Sequence, residues 1–196
     1  MVSSNDPITE LVQIPLAIPF TEFLGIFSKH LEPVLLAQPG LRSIMTGVII
    51  PENEGEQSFA VSFTQWDSIE AHEAFGKSAD AGPFFDRLKP LTTGPPTIEH
   101  YYLGLLESSA RQSRYGHVLK FSVLSGQAQK SLYEEYDASR RKATALQGNC
   151  MEVDAQSALV LFDDSKVFQP QKSDEIVTSF TVRWHRAATG KISAAL

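Results

Sequence analysis

The chain has 196 residues, of which 42% are hydrophobic, 10% aromatic and 20% charged; this composition can bury a core and excludes wholesale disorder. A formal net charge of -6, with no Lys/Arg-rich run, leaves nothing to neutralise a phosphate backbone, so neither nucleic acid nor an anionic membrane is an expected partner. One cysteine, Cys150, excludes an internal disulfide and a multi-cysteine zinc site and suits a reducing compartment.

Met1 to Pro7 carries no basic or apolar targeting pattern, and apolar stretches such as Ile14 to Phe20 fall short of the ~20 residues of a membrane helix. The C-terminal Ala194-Ala195-Leu196 is no lipidation signal, and a cytoplasmic protein is expected. Ile8 to Ile18, rich in branched residues and closed by Pro19, predicts a strand. From Phe20, apolar residues at Phe23, Ile26, Phe27, Leu31, Val34 and Leu35 have the spacing of a helix covering a sheet, with His30 on the same stripe; Pro39-Gly40 stops it. Ser43 to Ile50 and Ser58 to Trp66 predict an antiparallel pair joined through the polar loop Pro51 to Glu56. Asp67, with Glu70 three residues on, predicts an N-cap for a helix over Ser68 to Phe75. A short helical piece, Pro83 to Leu88, and a strand over Thr97 to Leu106 complete this half.

The second half begins the same order. His117 to Leu124 predicts a strand, Ser125 to about Lys142 a helix, Asn149 to Val153 and Ser157 to Asp163 a strand pair, and Ile176 to His185 a final strand, with a loose tail after Arg186. Ser58-Phe-Ala-Val-Ser-Phe63 matches Ser157-Ala-Leu-Val-Leu-Phe162 in place and alternation. The separation between the matching positions then shrinks by roughly 20 residues, the length of one short helix with its loops, so most of a second helix is missing from this half.

This order, with Trp66-Asp-Ser-Ile-Glu-Ala-His72 at the junction of third strand and second helix, resembles the dimeric α+β barrel superfamily, in its antibiotic biosynthesis monooxygenase branch. The resemblance covers Ile8 to Leu106 and extends to Gly116 to His185 only through element order. It implies an α+β fold of two ferredoxin-like halves, residues 1–107 and a degenerate 116–196 joined by a linker at 108–115, whose antiparallel sheets form a pseudo-dimeric barrel. A monomeric pseudo-dimer or a homodimer is expected. The resemblance also implies a small-molecule enzyme of secondary metabolism, acting without cofactor. Heme-degrading members carry an axial histidine late in the second helix, where Phe75 to Ala81 has none, and Gln13 stands where an asparagine would be expected, so heme is not expected.

On Ser58 to Trp66, alternation divides Phe59, Val61 and Phe63, expected under helices, from Ser58, Ala60, Ser62, Thr64 and Trp66, expected toward the barrel. The small residues of the second face leave a cavity walled by Trp66, or are packed by side chains of the opposite sheet. His100 and Tyr102 share a strand face and can act as base and hydrogen-bond donor in abstracting a proton beside a carbonyl, or can serve as edge and core residues. His72 is a candidate on its helix, catalytic or structural. Arg183 and His185 can meet an acidic ligand or face solvent. No histidine pair has the one-face helical spacing of a zinc motif and no glycine pattern fits a nucleotide loop, so neither metal nor cofactor is expected. Two classes remain: a cofactor-independent cyclase or monooxygenase acting on a hydrophobic carbonyl or polyketide-like molecule, and a non-catalytic barrel that binds a small ligand or a protein.

Overall fold

The computed structural model describes residues 7–108, 110–121, 144–153, 156–164 and 176–190. Branched residues make Ile8–Pro15 the first strand, β1. Pro19 precedes α1 (Phe20–Ile26), which runs through a π turn at Phe27–Leu31 into α2 (Glu32–Leu36). Pro33 accounts for the wide turn: it has no N–H for the carbonyl four residues back and its ring crowds that carbonyl, so the helix opens just before it. Phe23, Phe27 and Leu31 stay buried, whereas the π turn shifts the phase of the stripe and His30, expected on it, is exposed.

The elements that follow are β2 (Leu41–Ile49), β3 (Phe59–Trp66), α3 (Ile69–Gly76), α4 (Ala81–Leu88) and β4 (Thr97–Tyr101), then β5 (Tyr115–Phe121), β6 (Thr144–Asn149), β7 (Ser157–Asp163) and β8 (Ile176–Thr189). The strands form one antiparallel sheet in the order β4-β1-β3-β2-β8-β5-β7-β6. Each half therefore has its strands in the same order, fourth-first-third-second, and the second strand of the first half pairs with the fourth of the other. At the outer edges the complementary seam nearly closes the barrel. Tyr101 bridges Cys150, the Met151 N–H donates to the His100 carbonyl (2.8 Å) and the Tyr102 N–H to the Asn149 carbonyl (3.2 Å). A glycine lies at each seam: a Cβ on Gly47 would stand 2.6 Å from the Arg183 carbonyl, and one on Gly148 would overlap the Tyr102 carbonyl.

The interior is apolar and filled. Val61 and Phe63 of β3 meet Val160 and Phe162 of β7 and Val182 and Trp184 of β8. Phe63 lies edge-on to both Phe162 (5.9 Å) and Trp184 (6.2 Å). At one end Lys120 pairs with Glu99 (2.5 Å), Tyr101 donates to Glu99 (3.1 Å) and Gln156 donates to the Tyr101 hydroxyl (3.0 Å). These polar contacts tie β4 to the second half. On the outer face of the first half, Ala60 and Trp66 pack with Phe23, Phe27, Phe75 and Phe84 of the helices.

The two faces of β3 are thus reversed from the expectation: Phe59, Val61 and Phe63 turn into the barrel, and Ala60, Ser62, Thr64 and Trp66 turn under the helices. Both faces are buried, so alternation gave the period without its phase. The last strand of the first half is shorter than expected, Thr97–Tyr101. Beyond it the chain turns at Gly104 (φ +78°), and Gln65 holds the turn by donating to the Gly104 carbonyl (2.8 Å) and accepting from the Leu106 N–H (2.9 Å). Ser68 rather than Asp67 caps α3, accepting from the Ala71 N–H (3.3 Å), because Asp67 is drawn into a 2.5 Å ion pair with Arg42. The partner of β7 is Thr144–Asn149, ahead of the expected Asn149 to Val153; Cys150 and Met151 instead pair with β4. The segment after Arg186 continues β8, with Thr189 opposite Ser43. The helix expected over Ser125 to Lys142 lies outside the described residues. Among those described, no helix is long and apolar enough to cross a membrane.

Candidate functional site

A carboxylate in an apolar strand needs partners, because an unpaired buried charge is costly. Glu10, in the middle of β1, is buried and faces the helices, with Thr64 opposite it on β3 and His100 opposite it on β4. Trp66 Nε1–H donates to Glu10 Oε2 (3.1 Å), and His72 Nε2 of α3 lies 3.3 Å from Glu10 Oε1. Ser68 fixes the start of α3 and Phe75 stacks on Trp66 (6.2 Å), so the helix presents His72 to the sheet. The rings of His72 and His100 lie 4.7 Å apart.

Glu152 reaches the cluster from the segment after β6. It accepts from the backbone N–H of His100 (3.0 Å) and from Nδ1 of the same residue's ring. A carboxylate only accepts, so this contact puts the proton on Nδ1 and leaves the Nε2 lone pair free in the neutral ring. Among the described residues His100 Nε2 is buried with no hydrogen-bond partner, and His72 Nδ1 is in the same condition.

The charges are mutually adjusted. Burial disfavours the charged form of His72, but the hydrogen bond and charge of Glu10, with Glu73 and Glu152 beyond, outweigh it and raise the pKa. Burial works against ionised Glu152 too, and the hydrogen bonds from His100 and Cys150 overcome it, holding the carboxyl below its usual range. Burial raises the Cys150 thiol, which donates to Glu152 (3.3 Å).

The structure brings His72, His100 and Trp66 of the expected residues together and adds Glu10 and Glu152. Tyr102 shares the face of His100 and packs against the helix-side core, but among the described residues it has no hydrogen bond or ring contact with His100. Ser62 and Thr64 bond to each other, buried, at 2.9 Å. Arg183 and His185 do not join the site: they lie on β8, beyond β3 and β2, where Arg183 Nε donates to His185 Nε2 (3.1 Å) and the His185 ring meets Phe20 (4.8 Å). Burial and the Arg183 charge lower the pKa of His185. An open groove of about 550 Å³, lined by Phe85, Leu88, Lys89, Thr92, Pro95 and Pro96 among others, is separated from the cluster by the buried Phe75 ring, which touches both Phe85 (6.3 Å) and Trp66. Of the two alternatives for the barrel interior, a cavity or filling by side chains of the opposite sheet, the second holds: the Phe63, Phe162 and Trp184 rings occupy it.

No known protein-family model matches the chain, and no curated protein matches it. Solved structures do. A provisionally named monooxygenase of Fusobacterium nucleatum subsp. nucleatum is similar over 95% of this chain and 96% of its own, at 9% identity and a TM-score of 0.65. An anthrone oxidase-like protein is similar over 100% and 99%, at 16% identity and 0.61, and a provisionally named monooxygenase of Lactobacillus acidophilus over 94% and 96%, at 12% and 0.60. The likeness is one of fold: the chain is an α+β barrel of ferredoxin-like halves, with the architecture of these three proteins.

Proposed function

We propose that the protein is a small-molecule enzyme of secondary metabolism, of monooxygenase or cyclase type. It removes a proton beside the carbonyl of a hydrophobic, polyketide-like substrate, and His100 is the base. The observation that carries this reading is the buried, unpartnered Nε2 of His100, set opposite a nitrogen held by Glu152. In the step itself the C–H proton moves to Nε2, the electron pair stays on the substrate as an enolate, and Glu152 stabilises the imidazolium. In its protonated form, which the hydrogen bond and charge of Glu10 favour, His72 offers Nδ1–H to the enolate oxygen. The enolate then attacks an internal carbonyl in a cyclisation, or it reacts with dioxygen so that the carbon's two C–H bonds are replaced by C=O, one oxygen atom entering the product and the other leaving as water with the two hydrogens; the substrate supplies the electrons and the proton transfer asks nothing of a cofactor.

The substrate enters from the helix side, with the groove at Phe85 taking its apolar body and Trp66 backing the site. In this reading residues 1–107 supply His100, His72 and Glu10 while residues 116–196 supply Glu152, so both halves build one site and neither suffices alone. The first test is oxidation of anthrone, followed by absorbance, alongside other hydrophobic ketones. Relative to wild type, His100→Gln should lose about 10²- to 10⁴-fold in rate and Glu152→Gln a smaller factor, with melting curves run to show that both fold. Full turnover in His100→Gln would defeat the assignment and leave the non-catalytic ligand-binding barrel as the better account.

A further inference from the structure

We propose that Glu10, His72 and His100 together bind one divalent transition-metal ion, of the Zn²⁺, Co²⁺ or Fe²⁺ kind, between β1, α3 and β4. No local spacing announces such a site, because its ligands come from three elements separated by 62 and 28 positions in the chain. The expectation of no metal rested on spacing along single helices; the sheet register and the packing of α3 supply what that spacing lacks.

Three features carry the assignment. First, one donor atom from each residue lies within 4.8 Å of the other two. Glu10 Oε1 and His72 Nε2 stand 3.3 Å apart, and two ligands each about 2.1 Å from one ion at a near-tetrahedral angle are roughly 3.4 Å apart. Second, two ligands already have the outer partners that metal sites use to orient them. Trp66 Nε1–H holds Glu10 Oε2, leaving Oε1 for the ion, and Glu152 holds His100 Nδ1, leaving Nε2. Third, two separate ion pairs, Glu10 with His72 and Glu152 with His100, leave His100 Nε2 buried without a partner, and an ion satisfies it. Two imidazoles and one carboxylate suit borderline divalent ions better than Ca²⁺ or Mg²⁺, which favour all-oxygen sets.

The inference goes beyond the proton-transfer reading. An ion on His100 Nε2 takes the lone pair that the base uses, so the metal-bound and base forms are alternative states of one site. The test is direct binding to the whole protein after EDTA treatment and removal of the chelator. Co²⁺ titration is followed by visible absorption and by quenching of Trp66 fluorescence in a Trp184→Phe background, with Zn²⁺ content measured after gel filtration. One ion per chain is expected, with Zn²⁺ displacing Co²⁺. His72→Gln and His100→Gln should each weaken binding at least 100-fold, Glu152→Gln about 10- to 100-fold, and the exposed His30→Gln not at all. Near-UV circular dichroism identifies any variant that fails to fold, in which case the remaining two decide. Absence of saturable binding, or binding by the His72 and His100 variants as tight as that of the wild type, overturns the site. Should binding fail while turnover still depends on His100, the ion is removed and the proton-transfer reading stands; one-to-one binding with His100-independent turnover is the reverse case.

Discussion

The two faces of β3 are both buried, one against aromatic and branched side chains and the other partly against a cluster of carboxylates and histidines. Inward, Val61 and Phe63 meet apolar and aromatic partners from the second half, and the rings of Phe63, Phe162 and Trp184 fill the space. Outward, Trp66 belongs to a polar seam in which two carboxylates hold two histidines and, among the described residues, two ring nitrogens have no partner. The packed interior stabilises by removing apolar surface from water, about 1.5–3 kcal/mol for each large side chain; Trp184 Nε1 is buried there without a partner among the described residues, but an indole N–H only donates and can neither take a proton nor ligate an ion. The seam holds two carboxylates and imidazole nitrogens that can carry a proton or a lone pair, as expected where chemistry is done at some cost in stability.

Substitutions on the two faces should therefore separate stability from chemistry. Phe63→Ala should have the largest effect on stability, about 3–5 kcal/mol in urea denaturation, since the buried ring leaves a cavity among rigid neighbours. The folded fraction should keep its turnover and its metal binding. If those fall in step with stability loss per folded molecule, the faces are not separable. Trp66→Phe keeps most of the packing and deletes one donor, leaving Glu10 Oε2 buried without a partner; a loss of about 1–3 kcal/mol is expected, together with weakened turnover and Co²⁺ binding. A Trp66→Phe protein with unchanged turnover and binding would place the chemistry elsewhere.

The smallest effect concerns the polar end of the interior. Burial, and then the Glu99 charge, raise the pKa of the Tyr101 hydroxyl, so the folded chain keeps its proton where the unfolded chain, ionising near pH 10, has lost it. A folded-state pKa above the unfolded one means stability is intact below about pH 10 and falls as pH rises beyond it. Tyr101→Phe should lose about 1 kcal/mol at neutral pH through its hydrogen bonds and show a shallower decline between about pH 10 and 11.5. Parallel stability curves for the two proteins would remove Tyr101 as the cause.

Much of the fold was legible before any coordinates. The alternation of Ser58 to Trp66, the apolar stripe after Phe20 and the repeated element order correspond to β3, to the α1–α2 helix and to strands arranged alike in the two halves. Trp66, His72 and His100 were legible as candidates through the tryptophan motif and the strand face of His100. Glu10 carried a weaker signal, a carboxylate inside a mostly apolar strand, which must be buried with a partner or mark an edge. Glu152 carried none, because its contact with His100 spans 52 positions and depends on the seam between the halves.

The sequence by itself determined periods: which segments are strands, which are helices, and in what order they come. Only the tertiary structure decided phase and meeting. A strand buried on both sides has the same alternation whichever face turns inward, so Phe63 and Trp66 could be exchanged between barrel and helix layer without any change in pattern. A site assembled from β1, α3, β4 and the segment after β6 exists only once the sheet register sets Glu10 opposite His100 and barrel closure delivers Glu152.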